Sequence, residues 1–556
     1  MSLSFEQIIP YYSGKAGLII GICEQIGLGK IFDEHLTSHN GRPTDIPYGH
    51  LAQMMLVTMA DEHHPLYRIR DYFERIDLDS LFNCSIDRNK LNDDRFGGFL
   101  DLMQQAGGAN LLSAIAVQAF KHYGIRLGSV NFDTTSKVMW GQYETEEGTV
   151  GAVDITFGYS KQHRPDKKQI MYGMGVTQGI CIDGQVFSGN LSDKAYNVDN
   201  LDRAAHLRDQ FESDGTPFFY IADSAAFTRE FLEKAKRLQI EIITRMPDNV
   251  LECRRAVEKA LDQLDTLSVY KYETATEPSI YRIMSESCVY HDVPMKMAVC
   301  YSEKLEASKR KTVEKRITKE RESLETLVKR LGKRTFACRE DAQIEIETLM
   351  KSEISKIKYH DIGLEITEEI IKRPGRPSKN PDANPTRSIF SVIVSIREDK
   401  QKIQRCINKE CIFVVVSTDQ SLSGEAILRE YKTQGGVERK FQFLKSPQFV
   451  NALYVDSPRR VEALGYLMLI LMLVLSIAEH VVRREMKKES ATIMGPGDKK
   501  LTRPSLMAIF RIFFSVKTSA IRVNGTLHRG FNEPLRPNVK AVMRYLGIPE
   551  DIFIRG

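Results

Sequence analysis

The sequence predicts a mixed α/β protein: a sheet-forming core, interrupted by a long insertion and preceded by an all-α region. Three observations predict this class. From about Gly14 to Gly124 apolar residues recur at helical spacing with short loops between. From Leu127 to Pro247 short strand-like runs give way to alternating helices and strands. Later, "ALGYLMLILMLVLSIA" (Ala463–Ala478) reads as a fully buried helix. At 556 residues the chain exceeds a single core, and about two to four domains follow.

The helical region, residues 1–125, includes "GHLAQMMLVTM" and "ANLLSAIAVQAFKHYG". It could bind a DNA end through a helix-turn-helix or serve only in packing, since nothing marks a recognition helix. At Leu127 the pattern changes. "LGSVNFDTTS" reads as a short strand ending at Asp133, and "KQIMYGMGVTQ" and "GQVFSGN" as two more, joined by a hairpin across Gly179 to Gly184. A helix (about Asn197 to Phe211), the strand "PFFYIADSA" with Asp223 near its end, a helix (about Thr228 to Leu238) and the strand "IEIITRMP" complete residues 126–247. Three strands, then helix, strand, helix, strand is the order of a ribonuclease-H-like core.

Residues 248–410 interrupt that core. Strands "SIYRIMSESCVYHD" and "PMKMAVCYS" lead into a charged helix from about Glu303 to Arg334 and a second from about Arg339 to Ile357, an antiparallel hairpin by their apolar spacing. Lys309, Arg310, Lys311, Lys315 and Arg316 on the first helix could track phosphates, though a charged exposed helix needs no ligand. A basic, proline-rich linker, "IKRPGRPSKNPDANPTR", follows. After "SIFSVIVSI" and "CIFVVVST", residues 411–486 form the second part of the core with the buried helix. Residues 487–556 are a loosely patterned tail, open to a role in dimerisation or DNA contact.

Composition excludes little. The hydrophobic fraction of 42% and charged fraction of 27% are ordinary for a globular protein, and a net charge of +5 points only weakly to a polyanion. Nine cysteines have no zinc spacing, so free thiols in a reducing compartment are expected. "MSLSFEQIIPYY" lacks a secretory pattern, which predicts a cytoplasmic, nucleoid-associated protein. The apolar run at Ala463–Ala478 is shorter than the roughly 20 residues a bilayer needs, and Glu462 and Glu479 bound it, so no membrane partner is expected.

The chemistry lies in acids. Asp133 and Asp223 each end a predicted buried strand, where a rigid element can hold a carboxylate at the sheet's edge. Glu438 follows in "LREYKTQGGVERKFQFLKSP" (Leu428–Pro447), where Tyr431, Gln434, Glu438 and Lys445 recur at three-, four- and seven-residue spacing on one helical stripe. Gly435 and Gly436 interrupt that helix at about 1 kcal/mol each. Three converging carboxylates repel unless cations lie between them, and hard oxygen ligands favour Mg²⁺ or Mn²⁺. Two such ions, about 3.5–4 Å apart, clamp the attacking and leaving oxygens of a phosphoryl transfer.

The stretch Tyr431–Lys445 resembles the signature of DDE-type transposases of prokaryotic insertion sequences: Tyr, two residues, Arg, three residues, Glu, six residues, Lys. Asp133 in "NFDTTS" and Asp223 in "IADSA" resemble that family's first two metal ligands, and Glu438 its third. "GYSKQHRPDKKQ", "GNLSD", "ITRMP" and "LNDDRFGGFLD" are further similarities. The resemblance implies two Mg²⁺ or Mn²⁺ ions on Asp133, Asp223 and Glu438, and double-stranded DNA, both transposon ends and target, as partner. It also implies a homodimer in the synapse, and phosphate contacts from Tyr431, Lys445 and the neighbouring Arg439 and Lys440. Gln434 stands where the family has Arg, so a charged contact becomes at most a neutral one, roughly half as strong.

The linker core "RPGRPSK" resembles a minor-groove hook, with Arg373 and Arg376 reaching into DNA; a solvated basic linker is the other reading. Some members use a Trp in the insertion to hold a flipped base. The one Trp of this chain, Trp140, lies elsewhere, so neither hairpin ends nor a Trp pocket is inferred. The implied activity is cleavage of a strand at the element's ends and transfer of the freed 3′-OH to target DNA. The alternative is a DNA-binding protein derived from such an enzyme and no longer catalytic.

Overall fold

The computed structural model describes the chain except residues 1–4, 38–43, 62–64, 142, 144–151, 212–216, 274–276, 373–385, 446–454, 456, 496 and 498. The expected minor-groove hook, with Arg373 and Arg376, lies outside the described residues. The chain forms two compact units: 1–244 with 291–293 and 430–556, and 245–290 with 294–429.

The first unit opens with a strand, β1 (Phe5–Tyr11), ahead of the helical region. It pairs antiparallel with a strand near the C-terminus, described below, as the edge of a three-stranded sheet. Pro10, which has no N–H to give a ladder, is tolerated at such an edge. Helices follow: α1 (Gly14–Gln25), α2 (Leu28–His35), α3 (Tyr48–Ala60), α4 (Ile69–Phe73), α5 (Leu78–Phe82), α6 (Asp93–Ala106) and α7 (Gly108–Tyr123). In "LNDDRFGGFLD", Asn92 caps α6 by accepting the Arg95 N–H at 3.0 Å.

The main sheet of this unit comprises β2 (Val130–Val138), β3 (Gln169–Thr177), β4 (Ile180–Ser188), β5 (Phe219–Ala222) and β6 (Glu241–Arg245), in the order β4-β3-β2-β5-β6. The first three are antiparallel; β5 runs parallel to β2, and β6 parallel to β5. The connecting helices are α8 (Asp193–Gln210) and α9 (Arg229–Arg237), capped by Ser192 and Thr228. Three details differ from the sequence reading. The β3–β4 turn is only Gln178-Gly179, both with positive φ, a two-residue hairpin turn that favours glycine. Gly184, expected at its far end, lies inside β4 opposite Met174, where its missing side chain makes room for Leu469. Strand β2 runs five residues past Asp133, because β3 continues to pair with it to Val138 after β5 has parted.

The second unit has its own strands, β7 (Ser268–Tyr272), β8 (Ser279–Tyr290), β9 (Val293–Ser302) and β12 (Ile412–Ser417), in the order β12-β9-β8-β7. Helix α10 (Leu251–Asp262) precedes them. The charged helix α11 (Glu303–Leu331) and α12 (Arg339–Ser352) pack through Leu324, Leu327, Leu331 and Leu349 onto a ribbon of β10 (His360–Lys372) and β11 (Thr386–Glu398). Three of the five α11 cations considered for phosphate are committed to internal partners: Lys309 and Arg316 to Glu410, at 3.2 and 2.8 Å, and Arg310 to Glu306 at 2.9 Å. Helices α13 (Lys400–Glu410) and α14 (Gly424–Tyr431) lead out.

Returning to the first unit, a 3-10 turn (Lys432–Gln434) and α15 (Gly435–Lys445) precede α16 (Pro458–Lys488). By length and composition α16 could cross a membrane, yet its apolar residues are buried. It packs on β4 and on α1, α3, α6 and α7, so the N-terminal helices and the sheet share one core around it. Arg460 of α16 forks onto Asp101 of α6 at 2.9 and 2.7 Å. The C-terminal region, expected to be loosely patterned, is folded onto the same core as β13 (Ile493–Met494), β14 (Lys500–Leu501), α17 (Leu506–Phe513), β15 (Thr518–Val523), β16 (Thr526–Phe531) and α18 (Pro537–Leu546). Strand β15 is the partner of β1, and Arg529 of β16 reaches buried Asp77 at 2.7 Å. The nine cysteines are free thiols, with no disulfide among them.

Candidate active site

The parallel register of β2 and β5 sets Asn131 opposite Ile221; Asp133 lies two residues further along β2 and Asp223 one residue past the end of β5, near enough for its charge to be felt at Asp133. Each carboxylate has a backbone anchor. Asp133 accepts the Thr134 N–H at 2.7 Å, and Asp223, capping the 3-10 turn Ser224–Ala226, accepts the Ala225 N–H at 3.0 Å. Thr244 of β6 donates its hydroxyl to the Asp223 carbonyl at 2.7 Å, fixing the backbone there.

A third acid, which sequence reasoning did not single out, joins them. Helix α8 begins at Asp193, four residues before its expected start, because Ser192 caps it through the Ala195 N–H. The serine just before an acid was the available signal. Asp193 accepts a short hydrogen bond from the Thr134 hydroxyl and lies 3.0 Å from the Lys161 ammonium. Lys161 also donates to the Thr134 carbonyl and hydroxyl, at 2.9 and 2.8 Å, and stands 3.9 Å from Asp133. Close backbone packing makes this possible: a Cβ on Gly158 would sit 2.0 Å from the Gly189 carbonyl oxygen, so "GYSKQ" and "GNLSD" can meet only through glycine.

The cluster is electrostatically loaded. Burial pushes the Asp133 carboxyl up to about 6, and Asp223 and Asp193 add to that, while Lys161 and the Thr134 amide oppose it. Burial also raises Asp223, with Asp193 adding and the Ala225 amide and Lys161 opposing. Burial lowers Lys445, as does Lys161, while Asp133 raises it, so the end of α15 lies within the field of the acids. Burial likewise brings Lys137 down to about 8, with Lys445 contributing. Lys137 donates to the Leu444 carbonyl at 3.3 Å.

The expected stripe is a stepped one. α15 packs on β2 and β3 and is moored just upstream: Asn131, buried two residues before Asp133, donates to the Thr433 hydroxyl at 2.8 Å, and Ser129 donates to Glu430 at 2.6 Å. The 3-10 turn at 432–434 winds about 120° per residue against 100° in an α-helix, which adds about 60° to the winding between Tyr431 and Glu438. Tyr431 and Gln434 are half-buried, and Glu438 is exposed in the first turn of α15. Arg439 is exposed and donates to the Gly435 carbonyl at 3.2 Å. Lys440, expected at DNA, is turned inward, its ammonium 3.5 Å from Glu479 of α16. Helical geometry explains this: Lys440 shares its face with Gly436, Val437 and Leu444, which cover the sheet.

Thus Asp133 and Asp223 are brought together, and Glu438 is not seen in contact with them. Among the described residues no group of three or more His, Cys, Asp or Glu side chains is arranged to hold a metal ion. The donor chemistry of the pair, hard carboxylate oxygens held apart from full charge by burial and mutual repulsion, nevertheless suits a divalent cation. At present the Lys161 ammonium supplies the local positive charge.

Residues 13–117 match a family model described as "Domain of unknown function (DUF4277)", confined to the N-terminal helices. No curated protein matches the chain. The fold aligns 92% of this chain with 82% of a solved chain described as "Cryo-EM structure of piggyBac transposase synaptic complex with hairpin DNA (SNHP)", at 10% identity and a TM-score of 0.36. A likeness that distant carries no conclusion about this chain.

Proposed function

We propose that the chain is a DDE-type transposase, which cuts a strand at the ends of its element and joins the freed 3′-OH to target DNA. The observation that carries the reading is the pair Asp133, on β2, and Asp223, just past the end of the adjacent parallel strand β5, among the strands β4-β3-β2-β5-β6, whose order is that of a ribonuclease-H-like core. Helix α15 supports it. Glu438 and Lys445 are seven residues apart on one helical stripe, and Lys445 lies in the field of Asp133, which supports placing Glu438 with the acids.

In this reading Asp133, Asp223 and Glu438 hold divalent metal. Bound ions would neutralise the acids and stabilise both the attacking and leaving oxygens. The chain's own residues do the rest. The amides of Thr134 and Ala225 hold the two aspartates in place, and Lys161 must yield its position among the acids as cations arrive. Tyr431 and Lys445 hold phosphates on either side of the reacting bond, and two chains meet in the synapse. The exposure of Glu438 favours one other reading, an inactive DNA-binding descendant.

The test is a Mg²⁺-dependent assay on DNA carrying the inverted repeats that flank the gene. The transposase reading expects nicking at the repeat ends and joining of the 3′-OH to a second DNA. Tight end binding without nicking would leave the inactive descendant; neither binding nor nicking would remove both.

A further inference from the structure

One face of β2 is used twice to hold the chain that carries Glu438. Side chains alternate along a strand, so Asn131, Asp133, Thr135 and Lys137 share a face, while Thr134 on the opposite face meets Asp193 of α8. Asn131 is 2% exposed, and its amide donates to the Thr433 hydroxyl at 2.8 Å and to the Val176 carbonyl of β3 at 3.4 Å. The Thr433 hydroxyl donates in turn to the Glu430 carbonyl at 2.6 Å, so the 3-10 turn is tied to β2 and β3. Further along the same face, Lys137 donates to the Leu444 carbonyl at 3.3 Å, in the last turn of α15. A helix end leaves such carbonyls without an internal partner, and its dipole favours a cation there. Burial penalises this ammonium, a cost that an apolar side chain packed on α15 would avoid.

Two fastenings fix more than one would. With Thr433 at Asn131 and Leu444 at Lys137, the segment runs alongside β2 in the same direction and cannot slide along it. Asp133 lies about 6.6 Å of strand beyond Asn131, and Glu438 about 7.5 Å of helix beyond Thr433. Glu438 is therefore level with Asp133 to within about 1 Å along the strand, with its side chain exposed. We infer that Asn131 and Lys137 are positioning residues, a two-point staple that holds Glu438 at the level of Asp133 so that both carboxylates can meet one divalent cation. Neither side chain touches the reacting bond; each acts through the placement of α15. The cation rests on the transposase reading above, and the staple does not.

The test uses full-length protein in two measurements. Hydrogen exchange of the α15 amides reads the staple, and Mn²⁺ affinity on end DNA, from electron paramagnetic resonance, reads the placement of Glu438. Lys137→Met keeps much of the side chain without its donor, and Asn131→Ala breaks the other fastening. Each should speed exchange over residues 435–445 and weaken Mn²⁺ binding about tenfold, with Lys137→Arg near wild type. In a Glu438→Ala background neither change should weaken Mn²⁺ binding further, since the staple acts through that carboxylate. Should Asn131→Ala unfold, Lys137→Met and Lys137→Arg decide alone. Unchanged exchange in Lys137→Met, or an equal loss of Mn²⁺ with and without Glu438, overturns the positioning role. So does a Lys137→Met protein whose end binding weakens and loses salt dependence, which would make Lys137 a phosphate contact. Wild type that binds no Mn²⁺ while the variants still exchange faster overturns the metal reading and positioning together, and leaves a staple of structure alone.

Discussion

Two regions of the first unit carry the acids, and they hold them differently. The sheet fixes Asp133 and Asp223 through strand register and backbone amides, in partly buried surroundings that resist full ionisation. Helix α15 packs on the same sheet through its other face and presents Glu438 exposed, one turn beyond a 3-10 step. The strand-borne acids are thus positioned before any ligand arrives, at a cost in folding free energy. The helix-borne one lies exposed to solvent.

The largest expected effect breaks this comparison at its active end. Asp133→Ala and Asp223→Ala should each lower Mg²⁺-dependent nicking about 10³-fold or more, while end binding in a gel-shift assay stays within a few fold. Glu438→Ala should lower nicking as steeply, but its melting temperature should equal the wild type's because the side chain is exposed and has no hydrogen bond or ion pair among the described residues. A melting temperature that fell for Glu438→Ala would erase the distinction between the two regions.

The next effect separates two lysines of α15. Lys440→Met removes a buried partner of Glu479, which keeps Arg483 and the Leu506 N–H, so a loss of about 2 kcal/mol is expected in urea denaturation. Lys445→Ala should leave stability nearly unchanged, weaken DNA binding and reduce its dependence on salt.

A smaller effect concerns the strand-borne acids alone. The Asp133 carboxyl titrates near 6 in the fold against 3.8 when free, so the cost of charging it is absent below about pH 4 and complete above about pH 6. Stability from this group therefore falls as pH rises through that window. Asp133→Asn, which cannot charge, should be more stable than wild type by about 1–2 kcal/mol at pH 8, with the difference vanishing near pH 4. The smallest effect is at Gly435, where a Cβ would meet nothing within 4 Å and the backbone is helical. Gly435→Ala should stabilise the protein by about 0.4–1 kcal/mol, unless DNA needs the space, in which case binding falls instead.

Much of the sheet was legible because its strands are short apolar runs bounded by turn residues, and the helix at Ala463–Ala478 because nothing polar interrupts it. The partners of that helix were not, since packing among α3, α6, α7 and β4 joins residues hundreds of positions apart. Strand β1 was missed for the same reason: its partner β15 lies near the other end of the chain. In the site, Asp133 and Asp223 stood out by their place after apolar strands. Asp193 and Lys161 did not, because their roles come from the contact of Gly158 with Gly189, which no local pattern reports. The inward turn of Lys440 was readable in principle, since it shares a face with Val437 and Leu444, but its charge suggested the surface.

The central claim is that Asp133 and Asp223 hold divalent metal for DNA cleavage. Its most direct test is Mn²⁺ binding followed by electron paramagnetic resonance on protein bound to end DNA, comparing wild type with Asp133→Asn and Asp223→Asn. The account predicts two ions per wild-type chain and loss of both in either variant. Wild type without bound Mn²⁺, or variants that bind it as wild type does, would contradict it.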